Sequence, residues 1–216
     1  MADGKVETVA DAPEDDRARR IVLAAYDLLD SAGLEGLTIR AVLARTGLAR
    51  RAFYDCFAGK DALVLAVFAH TLRRAAGYFT DAVAGLLDPL ARVEAIITGI
   101  VMGSAAIMGR APEGGSNRRS AALSREHLRL AEAHPPELQA AIAPLIDLIA
   151  RHLADGMTAG QVRAGDPARM AALVYNLVST TVHTQLIAEE AAAPDRVRRE
   201  ALAAEIREFC RRAVAA

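Results

Sequence analysis

Gly47 sets the tightest constraint on this chain. It stands between two short apolar stripes, each with helical spacing. On its N-terminal side Ile39, Val42 and Leu43 recur at the i, i+3, i+4 interval of a helix lying on a core. On its C-terminal side Phe53 and Phe57 are four apart and share one helical face. Gly47 itself turns the chain at positive φ without steric cost, and Leu48 plugs the corner. Burying the two phenylalanines leaves Arg50, Arg51, Tyr54 and Asp55 on the solvent side of the second helix.

Two arrangements satisfy this pattern. One is a plain helical hairpin with solvated arginines. The other is a helix-turn-helix, whose second helix carries a basic outer face into a DNA groove. Charge distribution bears on the choice, because the overall net charge of −1 hides an uneven layout. Residues 1–16 hold six acids (Asp3, Glu7, Asp11, Glu14, Asp15, Asp16) against Lys5, a net of −5. Residues 17–63 hold eight bases (Arg17, Arg19, Arg20, Arg40, Arg45, Arg50, Arg51, Lys60) against five acids (Asp27, Asp30, Glu35, Asp55, Asp61), a net of +3. A basic patch beside the helix pair suits a duplex contact, where phosphate neutralisation supplies much of the affinity.

From Ile21 to Leu63 the chain resembles the DNA-binding domain of the TetR family of bacterial transcription regulators. The matching residues are Ile21, Ala24, Ala25, Leu28 and Leu29, then Gly33, then Leu37-Thr38-Ile39-Arg40 and Ala44. The match continues through Gly47-Leu48, Phe53-Tyr54, Phe57 and Lys60-Asp61-Ala62-Leu63. Three positions depart from the family pattern. Ala49 stands where Ser or Thr usually caps the recognition helix, a loss of about 0.5–2 kcal/mol. Cys56 replaces a His or Tyr, and Asp55 puts a negative charge where a basic or aromatic residue is frequent.

The resemblance implies an all-α chain: an N-terminal three-helix helix-turn-helix DNA-binding domain followed by a helical-bundle ligand-binding and dimerisation domain. The expected divisions are a disordered acidic stretch over 1–13, the DNA-binding domain over 14–60, and the effector-binding and dimerisation domain over 61–216. Composition agrees with helices, since alanine dominates, Trp is absent and aromatics are 4%. Arg50, Arg51 and Tyr54 are expected on the major-groove face. By resemblance Thr38, Arg40, Tyr54 and Lys60 would hold phosphates, and Ala52 would allow close approach. Arg17, Arg19 and Arg20 could brush phosphates or stay solvated.

Further along, helix one is expected over 14–31 with Ala32-Gly33 as its stop. A fourth helix is expected from Gly59-Lys60-Asp61 to Phe79. Asp88-Pro89 is a helix start, and the helix over 89–109 is apolar on nearly every side. Its small residues Gly99, Gly103, Ser104, Ala105 and Ala106 predict a cavity alongside. Residues 110–119 read as a loop, 120–133 as a helix broken at His134-Pro135-Pro136, and 136–156 as a helix kinked at Pro144. Residues 157–165 form a link. Asp166-Pro167 starts a long uncharged helix to Glu190, and Pro194-Asp195 starts the last one, to Val214.

Residues 170–188 carry no formal charge over 19 positions, close to spanning length. Asn176, Ser179, Thr180, Thr181, His183, Thr184 and Gln185 load the stretch too heavily with polar groups for lipid. A helix buried between subunits fits better. Leu173, Leu177, Thr180, Thr184 and Ile187 give it a seam, and Val197, Leu202, Ile206 and Phe209 give the final helix another. A homodimer built on Leu173, Leu177, Thr180, Thr184, Ile187, Leu202, Ile206 and Phe209 is the expectation. The competing view turns both stripes toward the intrachain core.

No catalytic constellation is evident. The five histidines fall on separate predicted elements, no His lies four from another, and no phosphate loop or nucleophile elbow is present. Glu126-His127 and Asp147 with His152 read as solvated pairs. Met102, His127, Tyr175, Asn176 and His183 are the candidates for polar or soft contacts to a bound effector. Cys56, near two arginines, is either a small core thiol or an oxidant sensor. Two cysteines 154 positions apart and an acidic N-terminus without an apolar run point to a reducing, cytoplasmic setting and exclude a signal peptide.

The expected function is therefore a non-enzymatic transcriptional regulator with no cofactor or metal. It would be a homodimeric repressor of operator DNA, released by a small, mostly apolar effector. The competing readings are an activator or ligand-independent DNA binder, or a helical carrier or enzyme with a vestigial head.

Overall fold

Capping groups placed by the sequence decide where most helices begin. The computed structural model describes residues 12–103, 115–188 and 195–216. Among the described residues the helices are α1 (Ala12–Gly36), α2 (Ile39–Thr46), α3 (Arg50–Cys56), α4 (Lys60–Val83) and α5 (Pro89–Met102). They continue with α6 (Gly115–Ala133), α7 (Pro135–Thr158), α8 (Pro167–Ala188) and α9 (Arg196–Val214). The described residues form no strand, so the fold is all-α. Thr38 Oγ1 accepts from Ala41 N at 3.1 Å, Asp88 from Leu90 N at 2.9 Å, and Asp195 from Arg198 N at 3.0 Å. Asp166 likewise accepts from Ala168 N at 2.9 Å. Each cap satisfies a backbone donor that the helix cannot pair for itself.

Several boundaries differ from those read in the sequence. Gly33 takes φ 65 and breaks the helical path as expected, yet α1 resumes beyond it and runs to Gly36. Residues 1–11 of the expected disordered stretch lie outside the described residues, and Ala12 and Pro13 already belong to α1. Helix α4 continues past Phe79 to Val83. The helix expected over 89–109 is corrected to end at Met102, where Gly103 leaves the helical path at φ 83; residues 104–114 lie outside the described residues. The predicted loop over 110–119 is corrected from Gly115 onward, where α6 begins. Its glycines and polar residues are weak local formers, and packing of α6 against α1 overrides them. Helix α7 passes Pro144 and extends to Thr158, shortening the predicted 157–165 link. The expected end of α8 near Glu190 falls among residues 189–194, outside the described residues.

A single apolar core runs from head to body. Ile21, Ala25 and Leu29 of α1 are buried with Val42 and Phe53, so the first three helices form one unit. Helix α4 leaves that unit without a break, crossing the expected 60/61 boundary, and packs along α7. Helices α6, α7 and α8 pack on one another, and α9 lies on α5. At the α4–α5 crossing a Cβ on Gly99 would come within 2.2 Å of the Phe79 ring. Here the absence of a side chain is filled by Phe79, so the space predicted beside Gly99 is packed, and the cavity lies further along.

Candidate nucleic-acid interface and effector cavity

The corner at Gly47 takes φ 68, the left-handed conformation that L side chains avoid. Its N–H returns to the Leu43 carbonyl at 2.9 Å, closing α2. Three residues later α3 starts at Arg50, and Ala49 provides no side-chain cap. Phe53 is fully buried and Phe57 nearly so, with ring centroids 5.8 Å apart. That anchoring turns Arg50, Arg51, Tyr54 and Asp55 to solvent. The Tyr54 hydroxyl lies 3.4 Å from an Arg50 Nη, and the guanidinium carbon is 5.6 Å from the tyrosine ring centroid. Arg40 and Lys60 are exposed on either side, Thr38 is exposed while capping α2, and Ala52 is half-buried. Lys60 Nζ also donates to the Leu34 carbonyl at 3.4 Å, which holds it near the α1 end. Arg20 donates to the Thr46 carbonyl at 3.1 Å and so braces α1 against the end of α2. Cys56 is half-buried and packs on the core.

Below the head, α4, α5, α6, α7, α8 and α9 surround a cavity of about 150 Å³. Phe68, Phe79, Leu123, Leu145 and Val182 supply its apolar wall, and Tyr175, His183, Ser124 and Arg199 its polar points. Of the five predicted contacts, Tyr175 and His183 line this space. His127 sits behind, its ring 5.0 Å from His183 and 5.6 Å from Phe68. Met102 does not line the space; its carbonyl accepts from Arg199 Nη1 at 3.3 Å. Asn176 is corrected: it faces outward, because Tyr175 and Ser179 occupy the inward face of that turn of α8. Burial, with His127 adding to it, holds the His183 imidazole down at about 4 against an ordinary 6.5. Burial alone lowers His127 and pushes the Tyr175 hydroxyl up to about 12. Both imidazoles are therefore neutral near pH 7. His127 is not the solvated partner of Glu126 that the sequence suggested. Glu126 is buried and accepts from Arg129, while His127 joins the aromatic stack. His152 approaches Asp155 at 3.8 Å rather than Asp147.

Residues 21–67 match the family model for bacterial regulatory proteins of the tetR family. That stretch, 47 of the 216 residues, is the part of the chain that is similar to the family. The fold as a whole is similar to that of several solved structures. A tetR-family transcriptional regulator from Mesorhizobium loti superposes with a TM-score of 0.65 at 14% identity, over 95% of this chain and 100% of that one. FadR from Bacillus subtilis, in complex with stearoyl-CoA, gives 0.68 at 13% identity over 89% and 96%. RolR in complex with resorcinol gives 0.63 at 18% identity over 91% and 94%. No curated protein matches the chain by sequence.

In this chain the stripe predicted for self-association splits. Leu173, Leu177, Thr180, Thr184 and Ile187 of α8 and Phe209 of α9 are exposed, with Leu173 at 63% and Phe209 at 64%. Leu202 is half-buried and borders, with Thr180 and Thr184, an open groove of about 580 Å³ between α8 and α9. Ile206 is corrected to the core, since the i, i+3 turn of α9 that carries Ala203, Ile206 and Cys210 faces its own chain. Among the described residues no helix is long and apolar enough to cross a membrane.

A bridge between head and body went unread in the sequence. Arg119 of α6 is buried, pairs with Asp30 of α1 and stacks on Tyr26. Arg129 of α6 makes two bonds to Asp61 of α4, at 2.8 and 2.9 Å, and binds Glu126 at 2.6 Å. Hydrogen bonds from Arg129 hold the Asp61 carboxyl below the usual range. The one available signal was a run of charges at 117–129 in a chain otherwise apolar there, which periodicity alone assigns to solvent.

Proposed function

We propose that this protein is a homodimeric repressor whose operator affinity falls when a small, mostly apolar molecule enters the cavity under α4. The observation that carries the reading is the outer face of α3. Arg50, Arg51 and Tyr54 project from a helix pinned by buried Phe53 and Phe57. Guanidinium groups at that position can give bidentate bonds to guanine edges, and the tyrosine can reach phosphate or a thymine methyl. Thr38, Arg40 and Lys60 would hold phosphates at the flanks and set the register, with Ala52 permitting close approach.

Dimerisation through the exposed faces of α8 and α9 would place two heads on half-sites about one helical turn apart, roughly 34–36 Å. The same helix that walls the cavity with Leu123 and Ser124 holds α1 of the head through Arg119 and the start of α4 through Arg129. A ligand that displaces α6 or α4 thereby alters head spacing. Coupling of about 1–3 kcal/mol, 5–150-fold in affinity, is the ordinary scale for such a switch. FadR holds stearoyl-CoA and RolR holds resorcinol. A volume near 150 Å³ suits a single ring, since an engineered cavity of about that size takes up benzene.

The test is a salt-dependent gel shift of the full chain against DNA upstream of its own gene, with and without single-ring compounds. Specific binding that a ring compound weakens at least fivefold supports the reading. Retention of equal affinity for scrambled DNA overturns it.

A further inference from the structure

The cavity has an asymmetric polarity. Among the described residues that line it, Arg199 bears the one permanent charge, and no acidic side chain faces the space. Arg199 is 6% exposed and comes from the first turn of α9. Its Nη1 donates to the Met102 carbonyl at 3.3 Å, and it has other contacts besides. The same nitrogen lies 3.2 Å from where a Gly103 Cβ would stand, so the glycine lets the guanidinium sit close at the cavity rim. A planar fork of five N–H groups serves several acceptors at once and matches a carboxylate geometrically.

The hydroxyls have the opposite character. Thr71 Oγ1 donates to the Val67 carbonyl at 2.8 Å, and Ser124 Oγ to the Ser120 carbonyl at 2.8 Å. Ser179 Oγ points its proton to the Asn176 carbonyl at 3.4 Å. With protons directed into their own helices, these three oxygens present lone pairs to the cavity. The space thus offers a cationic donor at one side, acceptors elsewhere, and Phe and Leu between.

We infer that the effector is an ionised carboxylic acid on a single-ring or similarly compact apolar body, with its carboxylate on Arg199 and any hydroxyl substituent facing Thr71, Ser124 or Ser179. The inference rests on the reading of this cavity as the effector site. An apolar amine is disfavoured by the guanidinium, and a long acyl chain by the volume. A neutral isostere forfeits the charge-assisted bonds to a desolvated guanidinium, which are about twice as strong as neutral ones.

The experiment uses the full-length protein in titration calorimetry. Benzoate, phenylacetate, cyclohexanecarboxylate and 3-hydroxybenzoate are each compared with the corresponding primary amide. The same titrations are repeated on Arg199→Gln, and a parallel gel shift monitors the operator complex. Carboxylates that bind at least tenfold more tightly than their amides, with that preference erased in Arg199→Gln, support the inference. Because loss of fold in Arg199→Gln would weaken acid and amide alike, Arg199→Lys is included. It should retain part of the preference through charge alone. Amides that bind as tightly as acids, or a preference untouched in Arg199→Gln, overturn it. Absence of binding by every compound overturns it too. Acids that bind through Arg199 yet leave the operator complex intact support the ligand assignment while refuting release by effector.

Discussion

The guanidinium carbon of Arg119 lies 3.8 Å above the ring centre of Tyr26, and the same side chain pairs with Asp30. One residue of α6 thus holds α1, the first helix of the head, by charge and by ring face together. Burial keeps the Asp30 carboxyl above its usual range despite the opposing pull of Arg119. Removing the arginine leaves that carboxylate partly desolvated without its counter-ion. Arg119→Met should lower stability by about 1–3 kcal/mol in urea unfolding at fixed protein concentration. Adding Asp30→Asn to it should recover part of the loss. A neutral effect of the single change would show that the pair holds nothing.

Arg51→Ala and Tyr54→Ala should each abolish operator binding in a gel shift while leaving the oligomeric state unchanged in sedimentation. Arg40→Ala and Lys60→Ala should instead weaken binding to all sequences and reduce the salt slope by roughly one per residue. Loss of the dimer with the first pair would contradict a role confined to the groove.

Ala49 leaves the N-terminus of α3 without a side-chain cap at φ −68 and ψ 152, the extended geometry in which Ser or Thr caps well. Ala49→Ser should stabilise the protein by about 0.5–2 kcal/mol, read as a higher Tm. An unchanged or lower Tm would mean that the donors of the first turn are already satisfied by water at no cost.

His183 is held at about 4 in the folded protein against an ordinary 6.5. Between those values the unfolded chain binds the extra proton, so stability is full above 6.5 and lost as pH falls toward 4. The full gap corresponds to roughly 3 kcal/mol at most, with His127 contributing in the same direction. Thermal melts should therefore fall across this window, and His183→Phe should flatten the decline. Parallel pH profiles for the two proteins would refute the assignment.

Leu173 and Phe209 expose more than half of their apolar surface on the α8–α9 face. Leu173→Glu with Phe209→Glu should yield a monomer in sedimentation velocity at micromolar protein. Such a monomer should lose most affinity for a two-half-site operator, because the second head no longer binds at high effective concentration. An undisturbed dimer would move the interface elsewhere.

The head was legible residue by residue because its determinants are local. Two phenylalanines four apart, a glycine at a corner and a threonine before Ile39 dictate α2 and α3 whatever surrounds them. Asp-Pro pairs at 88–89 and 166–167 likewise set helix starts through backbone donors a few residues away. The seam on α8 was readable by period, yet period cannot distinguish a partner from the chain's own core. Ile206 therefore landed on the wrong side of its helix.

Long-range packing alone decided the rest. His127 and His183 occupy helices far apart in sequence, and only the crossing of α6 with α8 brings their rings to 5.0 Å. Burial then removes water from the imidazoles and takes away their charge. Arg199 and Arg119 look like surface arginines in the sequence, because a charged side chain enters the interior only where a fold brings acceptors to it. Local residue order determined the helices and the outer face of α3. The three-dimensional meeting of α4, α5, α6, α7, α8 and α9 determined the cavity and its chemistry, because neither enclosure nor desolvation exists along a one-dimensional chain.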